Sequence, residues 1–176
     1  MNVNPAASSV SAEATEVPLD TLMLTVMSER ADQCEETVRI IANEIDAQNQ
    51  QLDVYNETKE AVMGAEQEEY FTLSEEEFNA LQTAVGEENS DTYTAYPNSD
   101  GTYNVKINGK KEDFDENKSV INTALDNEIS SLNSLSQMKM IDLQSAMDKY
   151  NNAYSSASNF ASKYNSSLSN VVSNMR

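Results

Sequence analysis

Histidine and tryptophan are absent from this sequence, and cysteine occurs once, at position 34. Without histidine the commonest general base is missing, as are Ser–His and Cys–His nucleophile pairs and most transition-metal ligand sets. A lone Cys34 forms no internal disulfide, and between apolar neighbours it reads as a small packing residue rather than a reactive thiol. Four glycines and three prolines in 176 residues leave little material for tight turns, so long elements are expected. No run approaches about 18 consecutive apolar residues, so no membrane-crossing helix and no direct membrane insertion are expected. Bases are scarce: 11 Lys and Arg stand against 30 Asp and Glu, a net charge of -19. That balance argues against a nucleic-acid partner, which needs clustered Lys and Arg, and against an anionic membrane surface.

The opening segment, MNVNPAASSVSAEATEVP, lacks the basic and apolar regions of a secretory signal peptide. Residues 1–18 are rich in Ser, Ala and Thr, lack aromatics and carry Pro5 and Pro18, which predicts disorder. Export, if it occurs, would then use another route.

What the chain does contain is heptad spacing. Residues 19–66 read as one helix ending near Gly64. Leu24, Met27, Ala31, Cys34, Val38, Ile41, Ile45, Gln48, Leu52 and Tyr55 follow one another at intervals of three and four, a coiled-coil seam. Within it Met27, Cys34, Val38, Ile41 and Ile45 are the candidate intramolecular packing residues. Glu29, Asp32, Glu35, Glu36, Glu44 and Asp46 fill other faces. Such a helix would be about 70 Å long.

Residues 116–176 read as a second long helix. Leu143, Met147, Tyr150, Tyr154, Ala157, Ala161, Tyr164, Leu168, Val171 and Met175 repeat at four and three. Ile121, Leu125, Ile129 and Leu132 extend the stripe upstream. The path through Ser136 and Met140 has spacings of four, four and three, a slip that would locally unwind a coiled coil. Two helices with matching seams predict a mainly α fold, an antiparallel helical hairpin.

Between them, residues 67–115 predict a small α/β insert. SEEEF opens with a capping box, Ser74 and Glu77, and the short helix it starts ends at Gly86. Tyr93 and Tyr96 precede PNSDG, and Tyr103, Val105 and Ile107 alternate after it, which is a β-hairpin pattern, with NGK as a second turn. The pattern changes at Gly86 and near Asp115 mark out residues 88–113 as a separable unit leaning on the helices.

The acidic runs EQEEY and SEEEF lack the alternating loop that calcium requires, and there is no phosphate-cradling glycine loop. No metal, no cofactor and no catalytic constellation are expected, so the chain does not read as an enzyme. The acidity is uneven. Residues 1–70 hold 15 acids and 3 bases, residues 71–115 hold 10 and 3, and residues 116–176 hold 5 and 5. The faces of the last helix opposite its stripe are Ser and Asn, not Lys and Glu. Exposed helices usually keep charge for solubility, whereas short polar side chains permit close helix approach. This predicts a helix surrounded by copies of itself or by relatives, packing through Leu143, Met147, Tyr150, Tyr154, Phe160, Tyr164, Leu168, Val171, Met175 and Arg176.

Residues 124–176, with the runs SQMKMIDLQ and DKYNNAYSSASNF and the final SNMR, resemble a known family. They are similar to the hydrophilic tip and filament proteins of bacterial type III secretion systems, the EspA-like and IpaD-like translocators. LDTLMLTVMSERADQ, residues 19–33, resembles the family's opening helix more loosely. The resemblance implies a secreted structural protein, a virulence component that leaves the cell with an uncleaved N-terminus. It would assemble at the needle tip on the bacterial surface, as a tip complex or filament linking the needle to the translocon pore. The implied partners are further copies of itself, the needle subunit, the hydrophobic translocator proteins and a separate cytoplasmic chaperone. An intracellular coiled-coil binding module, a chaperone or regulator of secretion, is the alternative.

Overall fold

The seam read along the first helix is the seam that packs. In a computed structural model describing residues 18–175, α1 spans Leu19–Gly64. Leu24, Met27, Cys34, Val38, Ile41, Gln48 and Leu52 are half-buried on it, and Ala31, Ile45 and Tyr55 are buried. The second long helix, α3, spans Glu112–Asn174 and so starts four residues before the expected 116. Its first turn carries Glu112, Asp113 and Asp115, which the helix dipole favours.

On α3 the phase of the packed line differs from the expected stripe. The line runs Leu132, Ser136, Lys139, Leu143, Ala146, Tyr150, Ala153, Ala157, Phe160 and Tyr164, with spacings of three and four throughout. Ala146 and Ala153 are buried, whereas Met147 and Tyr154 are 47% and 59% exposed. Met140 is exposed as well. The slip around Ser136 and Met140 therefore does not occur, because Lys139 takes the seam position. The physical reason is size and reach. Alanine lets the helices approach closely, and a lysine stem can lie along the seam while its amine reaches a carboxylate on the neighbouring helix. Lys139 Nζ donates to Glu44 at 2.5 Å, and this acceptor raises the amine above its ordinary pKa.

The chain divides into two compact units, and the division cuts both long helices instead of isolating the insert. The first unit, in its described part, is residues 18–35 with 148–175. The second is Glu36–Met147. In the second, Lys59 Nζ meets Asp126 at 2.5 Å and Lys139 meets Glu44. Residues rising along α1 thus meet residues falling along α3, an antiparallel pair. These partly exposed ion pairs fix register more than they add stability.

Three short strands complete the second unit: β1 Phe71–Leu73, β2 Tyr93–Pro97 and β3 Tyr103–Ile107, in the order β1-β3-β2 and antiparallel throughout. The β-hairpin is where the sequence placed it. Its turn is closed by Asn98 N–H donating to Thr102 O. Thr102 donates both its hydroxyl and its N–H to Asp100, holding that carboxyl below its usual pKa. β1 was not foreseen. It pairs with Tyr103–Val105 and so makes β3 the central strand, in which Val105 and Ile107 are essentially without solvent.

Helix α2, Glu75–Val85, starts at the foreseen capping box. Glu77 N–H donates to Ser74 Oγ, and Ser74 N–H donates to the Glu77 carboxylate. Ser74→Ala is expected to cost about 1 kcal/mol of stability, read as a lower urea midpoint at unchanged slope. Gly109 takes φ 100°, and a Cβ there would stand 2.7 Å from that of Asp113. The NGK segment is thus the turn into α3, and it needs glycine.

The insert shares one core with the helices. Tyr55 and Val62 of α1 and Ile121, Leu125 and Leu132 of α3 pack in one cluster with Leu73, Phe78, Leu81, Val85, Val105 and Ile107. Phe78 stacks on Tyr103 at 4.1 Å. Lys118 Nζ donates to the Met63 and Ala65 carbonyls at 2.8 Å, satisfying acceptors where α1 ends. Residues 88–113 thus lean on the helices through Val105 and Ile107, and their deletion would remove part of that shared core. Each fully buried side chain contributes about 1.5–3 kcal/mol, and Val105 and Ile107 belong to that shared core.

Candidate assembly surface

The packed line just described leaves the first unit with little interior. Among its described residues only Ala31 and Ala153 are buried. Alanine removes little apolar surface from water, so this pair of helices holds together on half-buried contacts. Leu24, Met27 and Cys34 of α1 and Tyr150, Ala157, Phe160, Ala161 and Tyr164 of α3 supply them. Phe160 and Tyr164 stack with ring planes 4° apart and centroids 6.5 Å apart. Tyr150 and Tyr154 lie 6.1 Å apart at a tilt of 30°.

Cys34 lines a shallow cavity with Met27, Arg30, Lys149, Asn152, Ala153 and Ser156. The thiol is half-buried toward α3, as its seam position implies. Native protein is expected to react with a thiol reagent several-fold more slowly than the urea-unfolded chain. Equal rates would contradict the packing of Ala31, Cys34 and Val38 as one seam.

The residues assigned to assembly separate into two sets. Leu143, Tyr150, Phe160 and Tyr164 are half-buried and serve the intramolecular seam. Met147, Tyr154, Leu168, Val171 and Met175 are exposed, Met175 by 82%. Met147, Tyr154, Leu168 and Met175 also differ by multiples of seven, so they keep to one flank of α3. Arg176 lies outside the described residues, as do residues 1–17, on which the expected disorder falls. Of the candidate intramolecular residues, Met27, Cys34, Val38 and Ile41 are half-buried and Ile45 is buried.

Several exposed apolar residues were not singled out from sequence. Leu19, Leu22, Met23 and Val26 stand out from α1, and Val172 adds to the end of α3. In the second unit Ile40, Leu135, Met138 and Ile141 are exposed. In the first unit the signal was present as a second spacing of three and four beside the main seam. Among the described residues no group of three or more acidic, Cys or His side chains is placed to hold a metal. No described helix is long and apolar enough to cross a membrane.

Large apolar side chains thus stand exposed on both helices of the first unit, framed on α3 by Ser and Asn. No protein-family model matches this chain, and no curated protein or solved structure matches it either.

Proposed function

We propose that this chain is a secreted structural subunit of a bacterial type III secretion apparatus. It assembles at the needle tip as a tip complex or filament and links the needle to the translocon pore. One observation carries the self-assembly: in the first unit the only buried residues among those described are two alanines, while Leu168, Val171, Val172 and Met175 stand exposed at the end of α3. Isolated helices are marginal in water unless an apolar face is covered, and a contiguous apolar patch on a soluble protein marks an interaction site. The likeness of residues 124–176 to the tip and filament proteins supports the rest: the needle subunit and hydrophobic translocators as neighbours, and a chaperone in the cytoplasm.

The test has two parts. In bacteria carrying such an apparatus, the protein is expected in the culture supernatant with Met1 and its following residues intact, and absent when the apparatus is disabled. Purified protein is expected to form particles or filaments in electron micrographs. Retention in the cell together with a monomer that binds another secretion protein would replace this reading with that of an intracellular coiled-coil binding module.

A further inference from the structure

We infer that two uncovered stripes of the first unit are the two halves of one contact between copies. Leu19, Leu22, Met23 and Val26 on α1 of one copy receive Leu168, Val171, Val172 and Met175 on α3 of a second copy. The inference rests on the self-assembly reading and specifies its geometry.

Spacing is the first support. Both stripes follow i, i+3, i+4, i+7, so each is a two-turn apolar ridge about 10 Å long. Exposure is the second. The α1 stripe is exposed by 40–69% and the α3 stripe by 46–82%, so neither covers the other within the chain. Register explains this. Met27 and Ser156 line one cavity, with the helices antiparallel. Nine residues back from Met27 is Pro18, and nine forward from Ser156 is Asn165. The α3 stripe therefore lies past the described start of α1, where a second copy can reach it.

Charge selects the occupant. In the first unit α1 carries Asp20, Glu29, Asp32 and Glu35 against Arg30, whereas α3 from Phe160 to Met175 carries Lys163 alone. Pairing α1 stripes with each other would set Asp20 of one copy beside the same stripe of the other, on helix segments that each carry four acids against one base. Pairing α3 stripes with each other would leave both α1 stripes uncovered. Only α1 with α3 covers both and sets Lys163 near carboxylates. Such a contact joins two different surfaces, so every copy offers one of each and the contact repeats from copy to copy.

Two double variants test this. Leu22→Glu with Val26→Glu spoils the α1 stripe, and Leu168→Glu with Val172→Glu spoils the α3 stripe. All four side chains are exposed, so helicity should stay at the wild-type level by circular dichroism. If glutamate lowers it, serine at the same positions carries the same test. Each variant alone is expected to remain monomeric by light scattering. An equimolar mixture is expected to give particles of twice the monomer mass and no larger, because one good α3 stripe meets one good α1 stripe and the other two are spoiled. The inference is overturned if the mixture stays monomeric while the wild type assembles, or if either variant alone reaches wild-type particle size. A wild type that itself stays monomeric overturns the assembly reading beneath it.

Discussion

Leu125→Ala is expected to lower the stability of the second unit by about 2–5 kcal/mol, the range for truncating a fully enclosed leucine. Leu125 is 0% exposed and sits in the cluster that joins α3 to Tyr55 and Val62 of α1 and to the strands. Its removal leaves a cavity in a core shared by helices and strands, which cannot close by the movement of one side chain. For a unit of this size the melting temperature should fall by about 10–20 °C. Leu168→Ala is the control. That side chain is 46% exposed, and its loss should change the melting of unassembled protein by about 0.5 kcal/mol or less. Equal effects of the two substitutions would contradict the division between a well-filled second unit and a thinly filled first one.

The same contrast shows what the residues made legible. The α1 seam could be read residue by residue because its outer faces are charged. Glu29, Asp32, Glu35 and Glu36 leave only one face on which Met27, Ala31, Cys34 and Val38 can pack. On α3 that discrimination fails. Ser and Asn stand on either side of the stripe, so two overlapping seams fit the spacing equally well. Leu143, Tyr150, Ala157 and Tyr164 are common to both. The choice between Ala146 and Met147, or Ala153 and Tyr154, depends on how closely α1 approaches, which hydrophobicity alone does not encode. Ranking by hydrophobicity favours methionine and tyrosine, whereas close packing favours alanine.

The insert was legible where turn chemistry is strong. Ser74 and Glu77 announce α2, and Pro97 to Gly101 announce the hairpin. β1 has only Phe71, Thr72 and Leu73, too short to show a period, and it exists because β3 offers it a partner. The integration of the insert with the helices was hidden for a related reason. Val62, Ile121 and Leu125 continue patterns that already looked complete as a two-helix seam. Nothing in their spacing reveals that Leu73, Leu81, Val105 and Ile107 also pack on them.

Truncation after Tyr164, removing residues 165–176, is expected to abolish assembly while leaving a soluble helical monomer. The removed segment holds Leu168, Val171, Val172 and Met175, all exposed, and among its described residues none is buried. Its loss therefore opens no cavity, and the second unit should keep its melting transition. Assembly should respond differently. Complete burial of each such side chain in a neighbouring copy would contribute about 1.5–3 kcal/mol. Losing four of them removes more than the whole free energy of a micromolar contact, about 8 kcal/mol, at the middle and upper part of that range. Light scattering should then show monomer at concentrations where the full chain forms particles, with helicity per residue nearly unchanged. Particles of the parent's size from the truncated chain would place the assembly contact elsewhere. The exposed Met138, Met140 and Ile141 on α3 would be the next surface to test. Collapse of the melting transition would instead mean that the end of α3 supports the monomer, which its exposure argues against.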